Sequence, residues 1–186
     1  MTPLDRLLQR LRVRAARPHI PGGARLLDVG CADGHLLRAL GGRIRDGVGI
    51  DPDPTPAEGS GGGTAGTARY RVVRGAFPDD LDDAGPFDVI TMLAVFEHFR
   101  DADRPRVVEA CRRLLRPGGR VVMTVPAPAV DRIVDLLRTL HLAHGMDIDA
   151  HHGYQPAETA THFSGFRVLR HERFELGLNH LYVLER

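Results

Sequence analysis

The stretch that most constrains this chain of 186 residues is Leu26 to Leu37, LLDVGCADGHLL. A short apolar run meets Gly30, Ala32 and Gly34 at alternate positions, and an apolar periodic segment begins directly after them. The pattern predicts a buried strand, a tight turn and a helix. Small residues let the backbone of such a turn approach a ligand closely, and the following helix offers unpaired N–H groups and the positive end of its dipole. Asp51 closes a second apolar run, GVGID, at a place where a carboxylate can hold a ribose diol. Together these features predict a nucleoside-binding α/β domain.

The spacing narrows the nucleoside. A dinucleotide fingerprint is Gly-x-Gly-x-x-Gly, shaped for a pyrophosphate at a helix N-terminus. Here the pattern is Gly-x-Ala-x-Gly, with Asp28 just before it and Asp33 inside it. Two carboxylates repel phosphates and suit a cofactor with a cationic amino-acid tail. Composition sharpens this. All 25 basic residues are arginine, so a Walker A lysine, a pyridoxal Schiff-base lysine and the catalytic lysine of short-chain dehydrogenases are all excluded.

Three further segments follow in order: GVGIDPDP (Gly47 to Pro54), PFDVITMLAVFEHF (Pro86 to Phe99) and RLLRPGGRVVMTVP (Arg113 to Pro126). With LLDVGCADG they resemble the motif series of the class I S-adenosylmethionine-dependent methyltransferases, particularly the broad small-molecule group. The resemblance spans residues 25 to 126 and continues in SGFRVLRHERF, Ser164 to Phe174. It implies a Rossmann-like, seven-stranded, mostly parallel α/β sheet in the order 3-2-1-4-5-7-6, with helices on both faces and a C-terminal antiparallel hairpin. It also implies S-adenosyl-L-methionine as cofactor and S-adenosyl-L-homocysteine as product.

Length and composition fit one such domain over residues 1–186, with 42% hydrophobic residues to build a single core. A helix is expected from about Pro3 to Arg14 within an N-terminal segment 1–20, with Arg6, Arg10, Arg14 and Arg17 read as a solvated face. Strands are expected at Arg25–Gly30, Gly47–Asp51, Tyr70–Arg74, Phe87–Met92 and Gly119–Val125, and helices at His35–Leu40 and Arg104–Leu115. Pro117, Gly118 and Gly119 are expected to stop the second of these helices. Phe166–Phe174 and Leu178–Leu184 read as the closing hairpin. The segment 52–68 is rich in Gly and Pro and reads as a flexible loop with at most one helical turn. Residues 127–165 read as a substrate-side insertion. A charged N-terminus and the lack of a long apolar run predict a cytoplasmic protein without a membrane span. Cys31 and Cys111 support neither a disulfide framework nor zinc.

Carried over residue by residue, the resemblance assigns Gly30, Cys31, Ala32 and Gly34 to the methionine part of the cofactor and Asp28 to its amino group. Asp51, followed by Pro52, falls to the ribose, backbone at Ala76 and Phe77 to the adenine, and Leu93 to the adenine ring's apolar surroundings. Ala32 replaces a usual glycine, and Ala76 stands where an adenine-binding aspartate is common. Catalytic candidates are His98, in the Glu97-His98 pair, and His151 and His152, with Tyr154 as a further substrate contact or base. The patch of His141, His144, Asp147, Asp149, His151 and His152 lacks the spacing of a recognised zinc site. Ala94 replaces the first Glu of a Glu-x-x-Glu-His metal group known from similar quinone-precursor enzymes, so no metal is expected.

Methyl transfer mainly requires alignment of donor and acceptor, so a base matters only for hydroxyl or protonated amine acceptors. A small-molecule substrate, free or presented on a carrier, is expected, with O-methylation first and N-methylation second. The net charge of +1 and the missing Asn/Asp-Pro-Pro-Tyr motif argue against nucleic acid. Readings from other classes are a dinucleotide-dependent oxidoreductase and a non-catalytic cofactor-binding partner. Monomer and homodimer are both compatible with the sequence.

Overall fold

The computed structural model describes residues 3–54, 63–65, 68–82, 85–127 and 154–186. Its sheet is built from β1 (Ala24–Val29), β2 (Ile44–Asp51), β3 (Gly63–Ala65), β4 (Ala68–Arg74), β5 (Phe87–Leu93), β6 (Leu115–Pro126), β7 (Arg167–Phe174) and β8 (Asn179–Glu185). The order is β3-β4-β2-β1-β5-β6-β8-β7. Five strands, β4-β2-β1-β5-β6, run parallel, and β8 and β7 pair antiparallel at one edge. The predicted seven-strand order is therefore present.

The departure lies at the other edge. Gly63–Ala65, inside the segment read as a loop, pairs antiparallel with β4 and caps its open edge. An edge strand of three residues needs only backbone groups, which is why a Gly-rich sequence gives no strand signal there. Residues 55–62 lie outside the described set.

Side-chain alternation divides the core into two layers. Leu27, Val29, Ile90, Met92, Val121, Met123, Tyr182 and Leu184 point to one face. There α3 (Arg104–Leu114) packs Val107, Ala110, Cys111 and Leu114, one helical stripe. Leu26, Val89, Val122, Leu181 and Val183 point to the opposite face. That face is covered by α1 (Pro3–Ala16), through Val13 and Ala16, and by α2 (His35–Leu40), through Leu36, Leu37 and Leu40. A single-turn helix, α4 (Thr159–His162), precedes the hairpin. No helix among the described residues is long and apolar enough to cross a membrane.

α3 ends at Leu114, close to the expected end at Leu115, where the backbone already adopts φ −78° and ψ 145°. The chain enters β6 there, and the Arg116–Gly119 turn is absorbed as a register shift between Leu115 and Arg120. Proline disfavours helical geometry in the residue before it, so the helix stops short of the motif.

The amino ends of the strands are tied by Asp88. Its carboxylate accepts the Arg25 amide (2.7 Å) and pairs with Arg116. Burial works to raise its pKa, but the Arg25 amide and Arg116 outweigh burial and leave it below the ordinary value of 3.8. This carboxylate therefore stabilises the fold above the unfolded-state pKa, and the contribution is lost as pH falls through the lower folded value. Asp88→Ala should cost about 1–3 kcal/mol at pH 7. In urea unfolding, that difference should shrink towards zero at about pH 2.

Candidate cofactor site

The turn after β1 is stitched to the end of β2. The amides of Gly30 and Cys31 both donate to the Ile50 carbonyl (2.8 and 3.3 Å), and the Ala32 amide donates to Asp51 Oδ2 (2.9 Å). Asp51 Oδ1 accepts the Asp53 amide (2.9 Å), so two backbone donors fix this carboxylate at the strand end. Gly34 donates to the Cys31 carbonyl (2.7 Å), and the His35 amide is taken by Asp33 Oδ1 (3.0 Å).

α2, the helix expected to offer unpaired N–H groups, is only six residues long, and the turn before it has its Gly30, Cys31 and Ala32 amides taken by Ile50 and Asp51. What it offers a ligand is close approach beside carboxylates, an arrangement that repels phosphate.

Two cavities flank the turn, and Gly30 lines both. The first, of about 230 Å³, lies under α1 and includes Leu8, Gln9, Arg12, Asp28, Cys31, Ala32 and Leu93. The second, of about 390 Å³, opens on the α3 side between Asp51, Pro52, Ala76, Phe77, Ala94, Val95, His98 and Phe99. Gly30 sits at φ +71°, and a Cβ there would lie 2.3 Å from Val95 Cγ2. Only glycine fits between the two spaces.

Asp28 faces the first cavity from the apolar run of β1, residues 26–29. It is buried and accepts a hydrogen bond from Thr91 Oγ1 (2.7 Å), its register partner on β5. Burial, helped by the nearby charges of Asp51 and Asp33 and opposed by the Thr91 bond, pushes its pKa up to about 7. Burial also raises the Cys31 thiol, so Cys31 serves as a packing group, seated over Gly49.

Asp33 does not join Asp28. Its carboxylate pairs with Arg38 (2.7 Å) and lies within reach of Gln9 Nε2 (3.4 Å), which tethers α1 to the turn. Burial favours its proton, but Arg38 and the His35 amide outweigh that and hold its pKa low.

The other expected site residues sort by strand parity. Leu93 shares a face with Val89, so it stands with Asp28 in the first cavity and away from Ala76 and Phe77. Gly34 lines neither cavity; at φ +73° it forms the N-cap of α2. Ala32 is held at φ +46°, so its departure from glycine is a matter of backbone conformation rather than methyl size. The Ala76 amide already donates to Asp80 Oδ2 (2.8 Å) and is not free for an adenine.

Glu97 and His98 separate. Glu97 turns into the core, 2% exposed, whereas His98 stands exposed at the rim of the second cavity. Tyr154 is no surface base. It is buried, its hydroxyl lies 2.6 Å from Thr159 Oγ1, and burial raises its pKa. His151, His152 and the rest of the histidine patch lie outside the described residues. Among the described residues no three metal-ligating groups converge.

Sequence reasoning missed Gln9, Arg12 and Thr91. Gln9 and Arg12 are three apart and share a helix face with Leu8, which would have identified them as cavity-facing. Thr91 is a polar residue in the centre of an apolar strand run, the available signal of a buried partner.

The profile of the methyltransferase-domain family matches residues 3–169. The ubiquinone biosynthesis O-methyltransferase of Methylococcus capsulatus is 35% identical over 120 residues, 60% of this chain and 47% of that protein. The nocamycin O-methyltransferase of Saccharothrix syringae is 40% identical over 113 residues, 57% of this chain and 39% of that protein. The chain thus spans less than half the length of these two relatives. Among solved structures, an S-adenosylmethionine-dependent methyltransferase from Archaeoglobus fulgidus superposes with a TM-score of 0.71 at 16% identity, over 97% of this chain and 94% of that one. The 1,6-didemethyltoxoflavin-N1-methyltransferase of Burkholderia thailandensis, with S-adenosylhomocysteine bound, gives 0.69 at 18% identity, over 96% and 78%. The chain belongs to the methyltransferase-domain family, the class I S-adenosylmethionine-dependent methyltransferases.

Proposed function

We propose that this protein O-methylates a small hydroxylated molecule, with S-adenosylmethionine bound across the two cavities that meet at Gly30. The observation that carries the reading is the match of 57–60% of the chain to O-methyltransferases at 35–40% identity. When bound, the cofactor supplies an electrophilic methyl group on a sulfonium, with its own leaving group attached.

The chain's residues then bind, orient and exclude water. Asp28 and Arg12, lining the first cavity, suit the ammonium and carboxylate of the amino-acid tail. Asp51, pre-oriented by two amides, has lone pairs left for the ribose hydroxyls. Phe77 supplies the buried apolar surface for adenine in the second cavity, above Pro52 and Ala76. His98 has Asp51 and Phe77 as cavity neighbours, so it is assigned to the adenosine side rather than to the acceptor's proton.

Incubation with S-adenosylmethionine and phenolic acceptors, read by mass spectrometry, should give S-adenosylhomocysteine and an O-methyl product. Methylation confined to amine acceptors overturns the reading. Asp51→Ala should weaken S-adenosylhomocysteine binding at least about tenfold in calorimetry, as expected for losing hydrogen bonds to a charged group. His98→Ala should raise KM for the cofactor and leave kcat nearly unchanged. A fall in kcat with unchanged KM would instead make His98 the base.

Asp28 gives a pH dependence. The folded protein keeps the Asp28 proton to about pH 7, whereas the unfolded chain releases it near 3.8. This group therefore makes stability fall as pH rises from about 4 to about 7, and Asp28→Asn should remove that slope. Cofactor affinity should move the opposite way, tightening as Asp28 ionises through about pH 7. It should weaken again as the α-ammonium deprotonates near ~8. Calorimetry across pH 6–9 checks both limbs, and Asp28→Asn should lose the lower one.

A further inference from the structure

The wall of the second cavity is made by the connection between β5 and α3, which contributes Ala94, Val95, His98 and Phe99. This connection is not regular structure beyond one short turn, Phe96–His98, and Ala94 within it takes φ +56°. The sheet holds its first residue, the Ala94 amide donating to the Thr124 carbonyl of β6 (2.9 Å), and the rest is held by side-chain packing.

Both ends of the connection grip one ring, that of Tyr154. From one end, fully buried Phe96 meets Tyr154 edge-on, with centroids 5.5 Å apart and planes at 75°. Phe96 also contacts Phe99 at 6.2 Å, linking the ring to a cavity-lining residue. From the other end, Arg104, the first residue of α3, places its guanidinium 4.5 Å from the Tyr154 centroid. Arg104 is only 2% exposed. Its Nη1 pairs with Asp101, and among the described residues its Nε and Nη2 make no hydrogen bond.

A guanidinium this deeply buried is costly unless it is compensated; Asp101 meets it at one nitrogen and the Tyr154 ring meets its face. The Tyr154 hydroxyl anchors the ring in turn on Thr159, and Tyr182 donates to the Pro156 carbonyl (2.8 Å), which fixes the same C-terminal stretch to β8.

We propose that Arg104 and Tyr154 are positioning residues for cofactor binding. By clamping both ends of the β5–α3 connection onto one ring, they hold Val95, His98 and Phe99 where the adenosine must pack. Neither residue lines the cavity. The proposal rests on the reading of that cavity as the adenosine pocket.

Calorimetric titration with S-adenosylhomocysteine, run well below each variant's Tm, tests it. Tyr154→Leu removes the ring and Arg104→Met removes the charge while keeping a long apolar stem. Each should raise Kd about tenfold, the scale of one desolvated cation–π contact. Tyr154→Phe keeps the ring and loses only the hydroxyl bond, so its Kd should stay close to wild type. If Tyr154→Leu does not fold, Arg104→Met carries the same expectation. A purely structural role lowers Tm without moving Kd, and an unchanged Kd in a folded Tyr154→Leu or Arg104→Met overturns the proposal alone. Wild-type protein that binds no S-adenosylhomocysteine overturns the cofactor reading and this inference with it.

Discussion

The absence of a side chain at Gly30 is the constraint on which the site depends. A Cβ there would stand 2.3 Å from Val95 Cγ2, so the connection after β5 can close over the turn after β1 only because that position is bare. The left-handed backbone at Gly30, φ +71°, turns the next residues back over β2. Three consecutive residues, Gly30, Cys31 and Ala32, then spend their amides on Ile50 and Asp51. Close approach and amide saturation together produce a turn that brings backbone near a ligand without offering it an anion nest. A turn of this kind suits a sulfonium nucleoside better than a dinucleotide's pyrophosphate.

Much of the fold could be read from the residues, because its signals are local. The helix His35–Leu40 lies where its apolar spacing puts it, and the strand runs at β1, β2 and β5 are apolar stretches bounded by glycine or proline. The elements that differ are those set by partners distant in sequence. β3 is the example, a three-residue strand paired with the otherwise open edge of β4. The same division holds at the site. Motif spacing singled out Asp28, Gly30 and Asp51, which line the two cavities. It missed the fates of Asp33, paired with Arg38, and of Leu93, turned to the α1 side, because each depends on what packs opposite.

An arginine-only cation set has physical consequences beyond excluding lysine chemistry. Exposed pairs such as Arg74–Asp53 and Arg106–Asp79 contribute little individually in water. Asp88, a fifth exposed at its side chain, serves Arg25's backbone and Arg116 together and so joins three strands. Arg104 is the extreme case, since a buried lysine could shed its proton to escape desolvation and a guanidinium cannot. Its charge must be met where it stands, here by the Asp101 carboxylate and an aromatic face.

Asp28 shows the opposite solution to burial. Placed between Leu26 and Gly30 on an apolar sheet face, with Thr91 as its hydrogen-bond partner, the carboxyl keeps its proton to about pH 7. An acid in that position weakens the unliganded fold near neutrality relative to an apolar residue. A cationic ligand in the adjoining cavity would reverse the balance, because an ammonium favours the ionised form that burial disfavours. Asp51, at the strand end with two amide donors, needs no such compensation. The two carboxylates therefore differ: Asp51 is a preformed acceptor, whereas a cationic ligand at Asp28 would couple its own binding to a proton and to the stability of the sheet beneath it.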